Sequence, residues 1–464
     1  MSQNESTHEK ADWLDGSGLP HLLRIAGMAA HPGKLGIVLV ALILTLALGT
    51  ILDWCWSIDG GIGDQAIAQF VAARELDQPY VEPTGESGVF AVWRDHEVRC
   101  VRALLGSWSG EAPAVLFSGG SRYHAAPCPA ITAAISGCSW LVRQHPFYFI
   151  IFGVVSLLIW SWGGGAVCRI AALQFARDEK PSVPDALRFS RRHLFDGFFL
   201  APCIPIVFAA FIMLLMVIGG AVLRIPVLGD VFGGLAFIFS LLGGVAVALL
   251  AVGLFVSGHL FWPAVAAEGQ DAYDSFSRAL SYTFTRPWKT ILYAIITFIL
   301  AGVCWLVVRL FTYASLAVAR TVVAFGTSPF GWWNRGPTDE PMSKLEMLWP
   351  RFGPDALYTW PGSGQLSWYE YISAFFIAVF VLLVIGLMWS YLISFYFSGS
   401  TVIYFLLRRD VDKTDLEDVF AADEAPSDAD SSPKSPSLPE APASPGEHPP
   451  ISSEDLAVDG QAPD

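Results

Sequence analysis

The chain has 464 residues and a net charge of −14, is 53% hydrophobic and only 15% charged, and has a mean hydropathy of +0.49. Soluble domains carry about 25% charged residues, so this composition excludes a wholly soluble protein. The acidity is local: residues 410–464 hold fifteen acids against Lys413 and Lys434. No basic stripe lies outside the loops, which argues against nucleic-acid binding by the body of the chain.

Residues 1–34 form a cytoplasmic entry segment carrying Arg24 and Lys34. The first apolar run, Leu35–Trp56, starts late and lacks a small-residue cleavage site, so it reads as an uncleaved transmembrane anchor. Residues 57–145 then read as an extracytoplasmic, mostly helical domain, with helices expected at Gln65–Glu75 and Val89–Trp108. In the second, Phe90, Trp93, Val101, Leu104 and Trp108 approximate one apolar face. Inside it, the stretch HEVRC (His96 to Cys100) places His and Cys on one helical face, as zinc ligands require. His124 and Cys128 repeat the spacing. Pro127 opposes a helical turn there, and the second histidine of the zinc-protease pattern is missing, so no metal and no cofactor are expected. If Pro129 starts a helix, Cys128 and Cys138 lie ~15 Å apart along it, too far to bridge. Cys100–Cys128 is then the preferred disulfide.

Residues 146–310 hold four further spans: Phe147–Val167, Phe198–Leu223, Val231–Trp262 and Thr290–Val308. Each reaches roughly the 18 residues that cross lipid, and backbone amides inside hydrocarbon require these runs to be helical. Prolines at His31-Pro32, His145-Pro146 and Arg286-Pro287 suit first helical turns. Glycines in spans two and four suit close helix packing. Two loops interrupt the spans. In PSVPDALRFSRRHLFDGFF, Asp185 reads as the cap, and Arg188, Arg191 and Arg192 form a basic face. In DAYDSFSRALSYTFTRPWKT, Asp274 reads as the cap, and Tyr273, Phe276, Leu280 and Phe284 form the apolar face. Arg278 lies off that face, and Arg286, Trp288 and Lys289 make a basic-aromatic collar. Both loops are expected to be amphipathic helices lying on the membrane surface. Each sits between two spans, which suggests an internal duplication. The six basic residues Arg188, Arg191, Arg192, Arg278, Arg286 and Lys289 are the candidate contacts to anionic headgroups.

Residues 311–370 read as an extracytoplasmic aromatic-rich loop, opening with an interfacial helix over Phe311–Phe325. Residues 371–409 hold the sixth span. Its apolar run Ile372–Leu407 measures ~54 Å at 1.5 Å per residue, and Ser398-Gly399-Ser400 is the expected break. In the tail, 410–464, Thr414-Asp415-Leu416-Glu417 matches a capping box. A short helix ending near Phe420 is expected to dock on the inner face. Beyond it, acids and prolines without large apolar residues predict disorder. Prolines at every third position from Pro433 to Pro445 fit a polyproline II face that a protein partner can read.

Orientation follows the lysines and arginines. Arg169, Arg177, Lys180, Arg188, Arg191, Arg192, Arg278, Arg286, Lys289, Arg408 and Arg409 all fall on one side of a six-span arrangement. That side is expected to be cytoplasmic, with both termini on it.

The stretches CRIAALQFARDEK, DALRFSRR, AAEGQDAYDSFSRALSYTFTRPWK and IYFLLRRDVDKTDLEDVF resemble a group of uncharacterised bacterial multi-pass membrane proteins, over most of residues 20–420. The Glu-Gly pair followed by an Asp/Ser-Arg helix is also similar to the membrane domain found beside some glycerophosphodiester phosphodiesterases, although no phosphodiesterase catalytic domain is present. The resemblance implies a bacterial inner-membrane location and brings no catalytic residue. The expected fold is therefore an all-α membrane protein with six transmembrane helices, cytoplasmic amphipathic helices and a small outer helical domain. No phosphate loop, nucleophile elbow or acid–base pair within the membrane is legible. The expected function is non-enzymatic: a cell-envelope scaffold engaging anionic lipids or protein partners. The alternative is a transporter or channel for a small or lipid-like solute.

Overall fold

The computed structural model describes residues 19–59, 64–75, 86–106, 127–222, 234–327, 344–353, 357–358 and 366–420. Among them, six helical segments are long and apolar enough to cross a membrane: Pro32–Cys55, Pro146–Ala176, Leu194–Ala221, Phe237–Glu268, Pro287–Gly326 and Trp368–Asp412. The fold is an all-α membrane protein, with one exception. Two three-residue strands, β1 (Ser57–Asp59) and β2 (Glu86–Gly88), pair antiparallel with Ile58 opposite Ser87.

Two short helices, α1 (Leu19–Leu23) and α2 (Ile25–Ala29), precede the first span, α3 (Pro32–Cys55). Proline opens α3, the second span α7 (Pro146–Ala176) and the fifth span α13 (Pro287–Thr327), where its missing N–H costs no helical bond. Between spans one and two lie α4 (Asp64–Glu75), α5 (Val89–Gly106) and α6 (Pro127–Gln144). Asp53, near the end of α3, accepts from the Phe90 and Ala91 N–H groups at 2.7 and 3.1 Å. It thereby caps a helix that begins 36 residues later.

Span three opens with a π turn, Leu194–Phe199, and continues as α9 (Leu200–Val222). Pro202 has no N–H, so the Phe198 carbonyl four residues before it loses its usual α-helical donor. Trp262 Nε1 donates to that oxygen at 2.8 Å and Ser161 Oγ at 3.3 Å. Span four is α10 (Gly234–Ser257), a 3-10 turn over Gly258–Leu260, and α11 (Phe261–Glu268). After a short helix, α14 (Lys344–Leu348), span six, α15 (Trp368–Asp412), begins with a full capping box between Ser367 and Glu370.

The spans are not equivalent. In span two 39% of the most apolar window is buried, against 11% and 6% in spans three and four. The bundle is therefore centred on α3, α7 and α15, with α9 and α10 at its rim. The N-terminal segment belongs to the centre: Leu22 and Ile25 are fully buried. Tyr391 and Ser394 of α15 donate to the Ala26 and Ala29 carbonyls at 3.2 and 2.9 Å. The expected break at Ser398-Gly399-Ser400 is absent, and α15 runs through it unbroken. Those small residues make contacts instead: Gly399 lies against Thr297, and Ser398 accepts from Lys34. Likewise Phe311–Phe325 is not a separate helix but the continuation of α13.

Candidate functional site at the arginine-rich end

Two capped helices join the spans at one end of the bundle: α8 (Val183–Arg192) and α12 (Ala272–Thr285). Both caps sit three residues before the expected ones. Ser182 accepts from the Asp185 N–H, and Asp271 from the Asp274 N–H. The first cap is preferred because it leaves Asp185 in the first turn, facing the helix dipole.

The buried faces also differ from expectation. α12 buries Ala272, Ser275, Ala279, Tyr282 and Thr283, while Tyr273 and Phe284 are exposed. Small residues allow α12 close approach to its neighbours, Tyr282 and Phe276 pack inward with them, and only Tyr273 and Phe284 point away. In α8, Ala186, Phe189 and Ser190 are buried. Ser190 Oγ bonds the Trp162 carbonyl of α7 at 2.7 Å. The apolar face of α8 thus rests on span two rather than in lipid.

The six basic candidates divide into two groups. Arg188, Arg191, Arg192 and Arg286 are exposed. Arg188 makes a 3.3 Å pair with Asp185, with both side chains open to solvent, worth about 0–1 kcal/mol. Arg278 and Lys289 are committed elsewhere, Arg278 to Glu268 at 2.6 Å and Lys289 to Asp410 at 2.8 Å.

Glu268 is the centre of a buried charge network. Its side chain is 6% exposed. Besides Arg278, it accepts from Tyr404 Oη at 2.5 Å and lies 3.3 Å from Arg408 Nε. Arg408 in turn binds the Asp418 carbonyl at 2.7 Å and its carboxylate at 2.8 Å. Tyr282 donates to Asp412. Burial, reinforced by that carboxylate and Glu268, holds the Tyr282 phenol well above its ordinary range.

A strap closes this end. After α15, residues 413–420 run back across the bundle as turns and extended chain. No helix forms at Thr414–Glu417; the carbonyls that follow, of Asp418, Val419 and Phe420, accept from arginine side chains. Arg169 binds the Phe420 carbonyl at 2.6 Å, and Arg177 the Val419 carbonyl at 3.0 Å. The last carbonyls of a helix have no internal donor. Here Arg169 supplies Ala266 at 2.9 Å and the Phe420 N–H supplies Ala267 at 2.9 Å. Gly269 ends α11 at φ 65°, and its missing side chain leaves room for the Phe420 ring.

Lys34 is fully buried, and its ammonium reaches Ser398 Oγ at 3.1 Å. The sequence places it only among the basic residues before the first span, on the side expected to be cytoplasmic. Burial, with Lys34 and Lys180 nearby, holds the adjoining His31 imidazole below its ordinary range.

The HEVRC stretch lies in α5. Its His96 Nε2 is 2.9 Å from the Ala133 carbonyl of α6, which occupies one metal-ligating nitrogen. Among the described residues no three His, Cys, Asp or Glu side chains gather as a metal site. Glu97 contacts Cys138 Sγ at 3.9 Å, and burial raises its carboxyl to about 7. The side chains of His124 and Cys128, and with them the expected Cys100–Cys128 bridge, lie outside the described residues. So do Trp332, Trp333, Trp360 and the tail from residue 421.

No family model, curated protein or solved structure matches this chain. Its class rests on the fold alone: a six-span, all-α membrane protein.

Proposed function

We propose that this chain is a non-enzymatic integral protein of the bacterial inner membrane whose arginine-rich end faces the cytoplasm and engages anionic lipid headgroups. One observation carries the reading. Exposed Arg191, Arg192 and Arg286 sit beside exposed aromatic side chains, Phe195 at 65% and Trp288 at 82%. Basic and aromatic side chains together suit the headgroup layer. The buried network holds α12 and the Ser190–Trp162 bond holds α8, which favours binding with little added ordering. The acidic, proline-rich segment after Phe420 is the proposed docking segment for a protein partner.

Each basic residue near an anionic surface contributes about 1 kcal/mol. Changing Arg188, Arg191 and Arg192 together to Gln should therefore weaken association with anionic lipid by about a hundredfold. Native mass spectrometry of nanodiscs with mixed anionic and zwitterionic lipid reads this directly. Unchanged lipid selectivity in the triple variant refutes the proposal.

Lys34 favours a second reading, a pathway for a small or lipid-like solute. A buried ammonium without a carboxylate is costly, and ionisable groups within spans commonly mark solute paths. Under the scaffold reading, Lys34→Met leaves function intact and matches or exceeds wild-type stability, since apolar replacements of buried charges often stabilise. Unfolding in mixed micelles, with liposome flux measured in parallel, separates the two. A solute flux abolished by Lys34→Met selects the pathway.

A further inference from the structure

A cavity of about 720 Å³ lies among spans four, five and six, lined by residues of α10, its 3-10 turn, α13 and α15, with Val101 of α5. The volume is that of small-molecule sites, about 300–1,000 Å³. Phe255 and Phe298 line it and are exposed on the bundle's flank, so a ligand reaches it from the lipid side.

Most of the lining is apolar, but four polar side chains from the three spans converge on it: His259, Thr297, Tyr396 and Ser400. Five other serine and threonine hydroxyls in these spans satisfy themselves by donating to the carbonyl four residues back. Thr290, Thr321, Thr401, Ser257 and Ser390 all do so. Thr297 does not, and its buried Oγ1 has no partner. The His259 ring bonds the Val256 backbone, while its buried Nε2 has no partner. A neutral imidazole has one donor and one acceptor nitrogen. With the carbonyl taking the N–H, Nε2 is an acceptor that lacks a donor.

An unmatched polar atom in an apolar setting is costly. Two such atoms, one needing a donor and one able to supply a proton, call for a group that both donates and accepts. A hydroxyl does this. A phosphodiester does not fit, because no lining residue is a lysine or arginine to offset its charge. We propose that this cavity binds a single-chain lipid alcohol, its chain along the apolar lining and its hydroxyl between His259 Nε2 and Thr297 Oγ1. The proposal is independent of the basic surface and of its lipid preference.

The test uses the full chain in nanodiscs and a photoactivatable long-chain alcohol. The matched alkane without a head group and the matched carboxylic acid serve as comparison probes. The alcohol is expected to label peptides from all three spans most strongly. His259→Phe and Thr297→Val should each reduce labelling about tenfold, the effect of one lost buried hydrogen bond. Thr297→Val keeps the side-chain shape, so it tests the site even if His259→Phe folds poorly. The alcohol should also raise the melting temperature of the wild type but not of Thr297→Val. The proposal is overturned if the alkane labels as strongly as the alcohol, if Thr297→Val labels like wild type, or if the carboxylic acid is preferred. Loss of anionic-lipid binding in the arginine variants, with alcohol labelling intact, separates the two sites.

Discussion

Replacing Glu268 by leucine lowers the unfolding free energy by about 3–5 kcal/mol, the range measured when one member of a buried ion pair is removed. The reason is the arginine left behind. Arg408 has a side chain only 11% exposed, and without Glu268 its charge keeps one carboxylate partner, the mostly exposed Asp418. Arg278 and the Tyr404 hydroxyl lose their common acceptor in the same step. Reversible denaturant unfolding in mixed micelles measures the loss. Glu268→Leu combined with Arg408→Met should recover most of it, because paired apolar replacements remove the uncompensated charge. Asp418→Asn should cost less than 1 kcal/mol, as expected of a solvent-screened partner. A single variant as stable as wild type would show that the network contributes nothing.

Gly164→Ala should be a strongly damaging small substitution in span two. A methyl there would lie 2.6 Å from Trp262 and 2.8 Å from Phe397, two rings stacked with centroids 5.5 Å apart. The indole cannot retreat freely, since its Nε1 holds the Phe198 carbonyl. Overpacking of this kind costs about 1–3 kcal/mol. Gly153→Ala is the control in the same helix: its added methyl meets nothing within 4 Å, and alanine is the better helix former by about 1 kcal/mol. Opposite signs for the two in thermal unfolding are expected. Equal effects would mean that the ring stack yields, and that close packing at Gly164 is not required.

The spans were legible because apolar runs this long admit one solution in lipid, and because proline marked three of their entries. The exposed arginines Arg188, Arg191 and Arg192 were legible from their i, i+3, i+4 spacing. The caps were misplaced, although the patterns Ser182-x-x-Asp185 and Asp271-x-x-Asp274 carry the signal. A residue preceding an acid by three positions should have been weighed first. The buried network was not legible. Glu268 stands at the edge of an apolar run, and its partner Tyr404 is 136 positions away. The burial of Lys34 was not legible for a related reason. Charge counting assigns a lysine to a side of the membrane, and only packing against α15 shows it turned inward. The Glu268-Gly269 pair did stand out as a motif, but its purpose emerges only with Phe420 in place.

That placement has a consequence for biosynthesis. Arg169 is joined to Phe420 across 251 positions, and Arg177 to Val419 across 242. The second span is therefore complete long before Phe420 and Val419, which its arginines hold, are made. Until the sixth span has followed and the chain has doubled back, this end of the bundle lacks its strap.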